Sequence, residues 1–305
     1  EEYPRLDKCL SNINKANVFL EGIEDGKEIL GSKYEQFKAE AKFVRAISYY
    51  YLNNLYSQPY VLNPDAKSVP LRLTAQKDAS NNNMPRSTVK QVYEQILEDL
   101  KGYTALPDGA VSEEGVTRAT KGAANMLKMR VYMAMGDWSS AINAGKEVKG
   151  YSLLSDVKLV FAAPYYTQES IFSLPMATNN TPNTQQGLAE YYTDEKIIIV
   201  DATNGIMSKA NYSLAVDQRM AFKDSSKRLT KFTDVRTKLD WVPIMRYAET
   251  LLNLAECYAN TTDGESQAKS YLKEVRHRSI DASKDPLNID ALSGAALKEA
   301  IYNER

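Results

Sequence analysis

Residues 120–149 read TKGAANMLKMRVYMAMGDWSSAINAGKEVK, and the fold is decided by how this stretch is read. Ala124, Leu127, Val131 and Ala134 recur at intervals of three and four, which makes one apolar stripe on a helix. Thr120 stands where an N-cap hydroxyl would accept from the first free amides. The stripe stops at Gly136-Asp137, because glycine takes up the left-handed conformation that ends a helix. It resumes with Trp138, Ala141, Ile142 and Val148. Ala123, Ala124, Ala134 and Ala141 are small enough for two antiparallel helices to approach closely. The stretch is therefore predicted to be a helical hairpin with a two-residue turn. Such a hairpin cannot bury its apolar face alone, so similar neighbours are expected.

Moving outward, Leu6 to Leu20 carries Leu10, Ile13, Asn17 and Leu20 on one helical face. Lys33 to Tyr56 is predicted as the longest helix, with Ala41, Val44, Ile47, Tyr51 and Leu55 as its buried stripe and Arg45 beside it. Pro59, Pro64 and Pro70 make Ser57 to Asn83 an extended excursion. Helix returns at Thr88, where TVKQ fits a capping box closed by Gln91, followed by Val89, Val92, Ile96 and Leu100. Beyond Tyr151 the period changes. The short runs VKLVF, ESIFSL and KIIIV are expected as strands among loops rich in Asn, Thr, Pro and Gly. Helix is expected again from Pro243, with Ile244, Tyr247, Leu251, Leu254 and Tyr258 as its stripe. A turn at Thr261 to Gly264 leads to a partner helix, Glu265 to Arg278. The expected class is mainly α: helical hairpins with a large loop-rich insertion carrying a few short strands.

The 305 residues permit one large domain or two smaller ones. An apolar share of 43% and a charged share of 25% are those of an ordinary globular protein. A net charge of -1 gives no electrostatic case for nucleic acid, and no apolar run has membrane-spanning length. Cys9 and Cys257 both fall in helical patterns and are read as buried thiols rather than as a bridge or a metal pair. Twenty tyrosines against seven phenylalanines favour half-buried surfaces, because a phenol has an apolar ring and a polar tip. Both ends look cut: residue 1 is not Met, and a fresh stripe of Leu292, Leu297 and Ile301 runs to Arg305 without a terminator.

Catalytic constellations are hard to assemble from these residues. The single histidine, His277, sits between Arg276 and Arg278 on a helix and is read as a surface or interface side chain rather than a base. No Cys/His cluster suits zinc, and no glycine-rich phosphate loop is present. Acidic neighbours such as Glu113-Glu114 arise by chance among 39 acidic residues. No cofactor, no metal and no enzymatic activity are expected.

Several segments narrow this reading through resemblance. Tyr132, Gly136, Trp138 and Ala141 keep the mutual spacing of a tetratricopeptide repeat. In order along the chain come EAKFVRAISYYYLNNLY (40–56), MPRSTVKQVYEQILEDL (84–100), TRATKGAANMLKMRVYMAMGDW (117–138), ESIFSL (169–174), VPIMRYAETLLNLAEC (242–257), LKEVR (272–276) and LKEAIYNER (297–305). Together these resemble the SusD/RagB family of Bacteroidetes nutrient-binding proteins, with the likeness beginning at Ile13-Asn14-Lys15-Ala16-Asn17. The family's N-terminal lipid-anchor cysteine and the acidic-aromatic stretch after the final ER have no counterpart in this sequence.

The resemblance implies one SusD/RagB-like domain over 1–305. A helical-hairpin scaffold would occupy 1–150, a loop-rich ligand side 151–242, and returning hairpins 243–305. It further implies a surface-exposed, lipid-anchored protein of the outer membrane. Such a protein would capture an oligosaccharide, starch-like or other glycan, and hand it to a SusC-like TonB-dependent transporter. Sugar C–H faces stack on aromatic rings while hydroxyls seek amide and carboxylate partners. Tyr165, Tyr166, Tyr191 and Tyr192 are the candidate ligand-binding residues, being paired, loop-borne and near Gln, Asn and Thr. The competing reading is that they pack the insertion onto the helices. Trp138 and Trp241 are read as structural, and Tyr49 to Tyr51 as scaffold core or transporter-facing surface. Two other functions remain open: an oligopeptide-binding RagB-like protein, and a tetratricopeptide scaffold for a protein partner.

Overall fold

The computed structural model describes residues 3–79, 82–182, 187–194, 203, 205–212 and 214–305. Its helices are α1 (Tyr3–Gly22), α2 (Lys27–Leu30), α3 (Tyr34–Tyr56), α4 (Val89–Asp99), α5 (Glu113–Thr117), α6 (Lys121–Met135), α7 (Trp138–Lys146), α8 (Tyr247–Ala259), α9 (Glu265–Ser279) and α10 (Gly294–Glu304). Two strands, β1 (Ser170–Leu174) and β2 (Val242–Arg246), pair antiparallel. The class is mainly α, with a few short strands, as the sequence implies. The chain divides into two compact units: Glu1–Asp108 with Arg118–Val148, and Gly109–Thr117 with Lys149–Arg305.

In the first unit α1 packs on α3, α3 on α4, and α6 on α7, with α3 and α4 also touching α6. The local signals are realised atom by atom. Thr120 accepts from the Ala123 amide at 3.1 Å, and Gly136 ends α6 in the left-handed region at φ 75°. Asp137 then caps α7 by accepting from Ser140. The Thr88 capping box closes in both directions, Gln91 N to Thr88 Oγ1 at 3.1 Å and Thr88 N to Gln91 Oε1 at 2.8 Å. Ala123, Ala124, Leu127, Val131 and Ala141 are buried, and Ala134 is half-buried.

The stripe expected on α3 is corrected. The buried face is Ala39, Phe43, Ala46, Tyr49 and Leu52, whereas Val44 and Leu55 are exposed. This helix is apolar on much of its circumference, so two stripes fit the same period. The deciding residue is a polar one. Arg45, 6% exposed, donates to both oxygens of Asp99 on α4, at 2.8 and 2.5 Å, and to Asn17 of α1 at 2.8 Å. Asn17 in turn donates to the carbonyls of Arg72 and Thr74, and Tyr49 donates to that of Arg72, so the 57–83 excursion is pinned to the helices. A buried charge must be paired, and this pair fixes which way α3 faces.

In the second unit α8 packs on α9, α10 packs on both, and α5 lies against β1. Leu251, Leu252, Ala255, Leu272, Val275, Leu297 and Ile301 form its apolar core. Two expectations fail here. VKLVF is a 3-10 turn at Val157–Phe161 rather than a strand. Asp156 caps it by accepting from Lys158, and burial recurs every three residues at Val157 and Val160. The chain from Pro243 begins as β2, and helix starts only at Tyr247. Pro243 faces Ser173, and in a two-stranded sheet a missing N–H can point away from the partner. KIIIV, 196–200, lies outside the described residues. ESIFSL does give β1, starting at Ser170. Both cysteines are free, Cys257 buried and Cys9 half-buried.

Candidate functional site

The second unit holds all four candidate tyrosines, and the segment Phe232–Trp241 organises three of them. Its shape comes from Asp234, which accepts from the amides of Thr237 and Leu239 at 2.9 Å each and from the Thr237 hydroxyl. Burial opposes the Asp234 charge, but these hydrogen bonds hold its carboxyl below the usual carboxylate range. The Asp234 amide then donates to Asp240 Oδ2 at 2.8 Å. Asp240 is itself buried, and its other oxygen accepts from the Tyr165 hydroxyl at 3.1 Å.

Tyr165 and Tyr166 both lie on Trp241. The Tyr165 ring stacks on the indole at 5.9 Å and 25°, and the Tyr166 ring is tilted against it at 6.1 Å. All three are half-buried, so part of each ring remains open to solvent. Tyr165 occupies the left-handed region at φ 67°, an uncommon conformation for a side-chain-bearing residue, and its amide closes a turn onto Ala162. Burial and the Asp240 carboxylate push its phenol up to about 12, so the hydroxyl stays a donor at neutral pH.

Tyr191 and Tyr192 sit on a single helical turn, Glu190–Asp194, and are half-buried. Tyr192 packs against Phe232 at 5.9 Å, the opposite end of the organising segment from Trp241. Glu190 joins the turn to the segment's middle: its Oε1 meets Lys238 Nζ at 2.8 Å and its Oε2 accepts from Gly187. The ring series continues from Phe232 to Phe161 at 5.8 Å and from Phe161 to Phe222 at 5.3 Å. Tyr165 and Tyr166 on Trp241, and Tyr192 on Phe232, thus lie at the two ends of one short loop segment.

Glu169 anchors this arrangement to the helices. Fully buried at the edge of β1, it takes Arg246 at 3.2 Å on one oxygen, and Arg278 at 2.8 Å and the Leu154 amide on the other. The sequence reading takes Trp241 as structural and does not single out Phe232, Asp234 and Asp240, which lie among these rings and their hydrogen bonds. The signal available was TDVRTKLDW itself, an Asp-Thr turn pattern ending in an Asp-Trp pair. His277 is partly exposed, with Nε2 3.3 Å from Asp285. Trp138, as expected, belongs to the α7 start. Among the described residues no group of three or more His, Cys, Asp or Glu could hold a metal ion.

The second unit thus combines packed helices with a loop region of clustered, part-exposed rings. Residues 3–133 match a family described as starch-binding and associating with the outer membrane, and residues 139–305 match the SusD family. The second match covers more than half of the chain, which belongs to the SusD family. The chain is 63% identical to a SusD superfamily protein from Bacteroides fragilis of known crystal structure, with a TM-score of 0.97 over 98% of this chain and 70% of that one. A structure described as a laminarin-binding SusD-like protein shares the fold at 20% identity, with a TM-score of 0.69 over 99% of this chain and 73% of that one. SusD-like protein P25 of Formosa agariphila is 24% identical over 57% of this chain, and the match spans 32% of that protein's length.

Proposed function

We propose that this protein captures an oligosaccharide without cleaving it, at the part-exposed rings of Tyr165, Tyr166 and Trp241 and of Tyr191 and Tyr192. The observation that carries the reading is the packing of Tyr165 and Tyr166 on Trp241 and of Tyr192 on Phe232, at the two ends of one loop segment, in a member of the SusD family. Indole and phenol faces suit the apolar C–H face of a sugar, and the Tyr and Glu rims offer hydrogen bonds to its hydroxyls. Asp234 and Asp240 are already committed to amides and a phenol, which disfavours them as proton-transfer groups. The name of one structural relative makes laminarin a reasonable first ligand to try. In the cell the captured glycan would pass to a SusC-like TonB-dependent transporter, from a lipid-anchored position on the outer face of the outer membrane. Among the described residues no helix is long and apolar enough to cross a membrane.

The test is calorimetric titration with laminari- and malto-oligosaccharides, repeated on single alanine variants of Trp241, Tyr165, Tyr166, Tyr191 and Tyr192 whose folding is verified by circular dichroism. Affinity on the order of micromolar to millimolar is expected for the parent. Loss of Trp241 should weaken it about fivefold to tenfold, an amount typical of one stacked ring. Five variants binding as tightly as the parent would remove this site. Shortening of the oligosaccharide by the parent protein would remove the binding-protein reading altogether.

A further inference from the structure

Phe161, at the centre of the ring series, also lines a cavity of about 820 Å3 within the second unit, a size suited to a small ligand. Seven of the side chains lining it are basic and three are acidic. Most of the basic groups are answered internally: Arg219 by Asp217 at 2.8 Å and by Glu304, Arg246 and Arg278 by the shared Glu169. Two are not. The side-chain ammonium groups of Lys223 and Lys231 have neither a hydrogen bond nor an ion pair among the described residues.

Their placement follows from the backbone. The 222–230 stretch turns back on itself, with Lys223 opposite Leu229 in an antiparallel bridge and the Thr230 amide bonded to the Phe222 carbonyl. Lys231 follows two residues after Leu229, the bridge partner of Lys223. All three line the cavity. The Lys231 ammonium stands 5.1 Å from the Phe161 ring centre and 5.7 Å from that of Phe222. Burial pushes it down to about 8, with Arg246 and Arg219 adding like charge, yet at neutral pH it still holds its proton. The rings attract the ammonium, but its burial beside Arg246 and Arg219 is costly, and an arriving anion would relieve that cost.

We propose that this cavity accepts the anionic group of an acidic saccharide, a uronate carboxylate or a sulfate ester, with Lys231 as the receiving charge and Lys223 beside it. The saccharide part of this inference rests on the glycan-binding reading above. Phe232 and Phe161 link the cavity to Tyr192, so a sugar bound along the rings would place an acidic substituent or neighbouring residue at the lysines. A charge-assisted contact of this kind is worth about tenfold in affinity.

The experiment compares a uronic-acid trisaccharide, a sulfated disaccharide and neutral maltotriose on the parent, Lys231→Met and Lys231→Arg. In parallel, inorganic sulfate is titrated against protein with 13C-dimethylated lysines, read by NMR. At least one acidic probe should bind the parent about tenfold more tightly than maltotriose. That preference should vanish in Lys231→Met and persist in part in Lys231→Arg, and whichever acidic probe is favoured identifies the anion. Removing an unanswered charge should leave the Met variant folded and at least as heat-stable as the parent. If maltotriose binds, acidic probes bind no better, and sulfate leaves the Lys231 resonance in place, this inference is overturned while the glycan reading stands. If sulfate moves Lys231 but no saccharide of any charge binds, the anion site remains and both saccharide assignments fall.

Discussion

The hairpin at 120–148 and the loop region at 151–241 are held by different kinds of contact. In the hairpin each decision is made within four residues: Thr120 onto Ala123, Gly136 in its left-handed turn, Asp137 onto Ser140. In the loop region the governing contacts join residues far apart in the chain: Tyr165 and Asp240 are separated by 75 positions, Glu169 and Arg246 by 77, Glu169 and Arg278 by 109. Local order can be specified by a short sequence and tolerates change elsewhere. Long-range order depends on a handful of buried polar groups, and those groups also place the rings.

Two buried aspartates, Asp99 in the first unit and Asp240 in the loop region, extend the comparison. Asp99→Ala strips the bidentate partner from the buried Arg45 guanidinium, between three helices. Leaving such a charge buried costs roughly 3–5 kcal/mol, a large share of a typical domain's stability. Thermal melting should show a drop of many degrees. A shift of only a degree or two would mean that α3 is not oriented by this pair.

Gly136→Val comes next. Its added Cβ would meet Val61 at an ordinary 3.5 Å, so the penalty lies in the backbone: a β-branched residue held at φ 75° costs about 2 kcal/mol. Unchanged stability would mean that the turn is built otherwise. Asp240→Ala should cost less stability, about 1–2 kcal/mol, because it removes an acceptor from one phenol and one amide. It should nonetheless weaken oligosaccharide binding, since Tyr165 loses the bond that fixes its ring on Trp241. Weakened stability with intact binding would separate ring placement from function.

How much of this was legible follows from the same contrast. Thr88, Thr120 and Gly136 announce themselves because a cap or a left-handed turn needs a specific residue at a specific offset. VKLVF misled because β-branched residues make a strand only where a partner pairs with them; Asp156 instead winds the run into a 3-10 turn. Pro243 misled because a first-turn proline and an edge-strand proline look alike without knowledge of Ser173 opposite. The tyrosine pairs were visible as pairs, but Trp241 as the shared partner of Tyr165 and Tyr166 was not. Nothing local to the Asp240-Trp241 dipeptide records a contact with residue 165.

The remaining effect is electrostatic. In the folded protein Lys231 releases its proton near pH 8, whereas in the unfolded chain it does so near 10.5. Between those values the unfolded state binds more protons, so this group's contribution to stability rises with pH across the window and is least favourable below it. The stability of the parent relative to Lys231→Met should therefore rise from pH 7.5 to pH 10. A flat difference would place Lys231 in a well-hydrated setting.

The chain has two tryptophans, one in each region: Trp138 at the start of α7 and Trp241 among the loop-borne rings. Tryptophan emission, followed while a laminari-oligosaccharide is added to Trp138→Phe and to Trp241→Phe, therefore asks directly which region meets the sugar. The binding site described here requires a saturable change in emission in Trp138→Phe, where Trp241 is the remaining indole, and none in Trp241→Phe. A change carried by Trp138 alone would contradict it and move ligand binding to the hairpins.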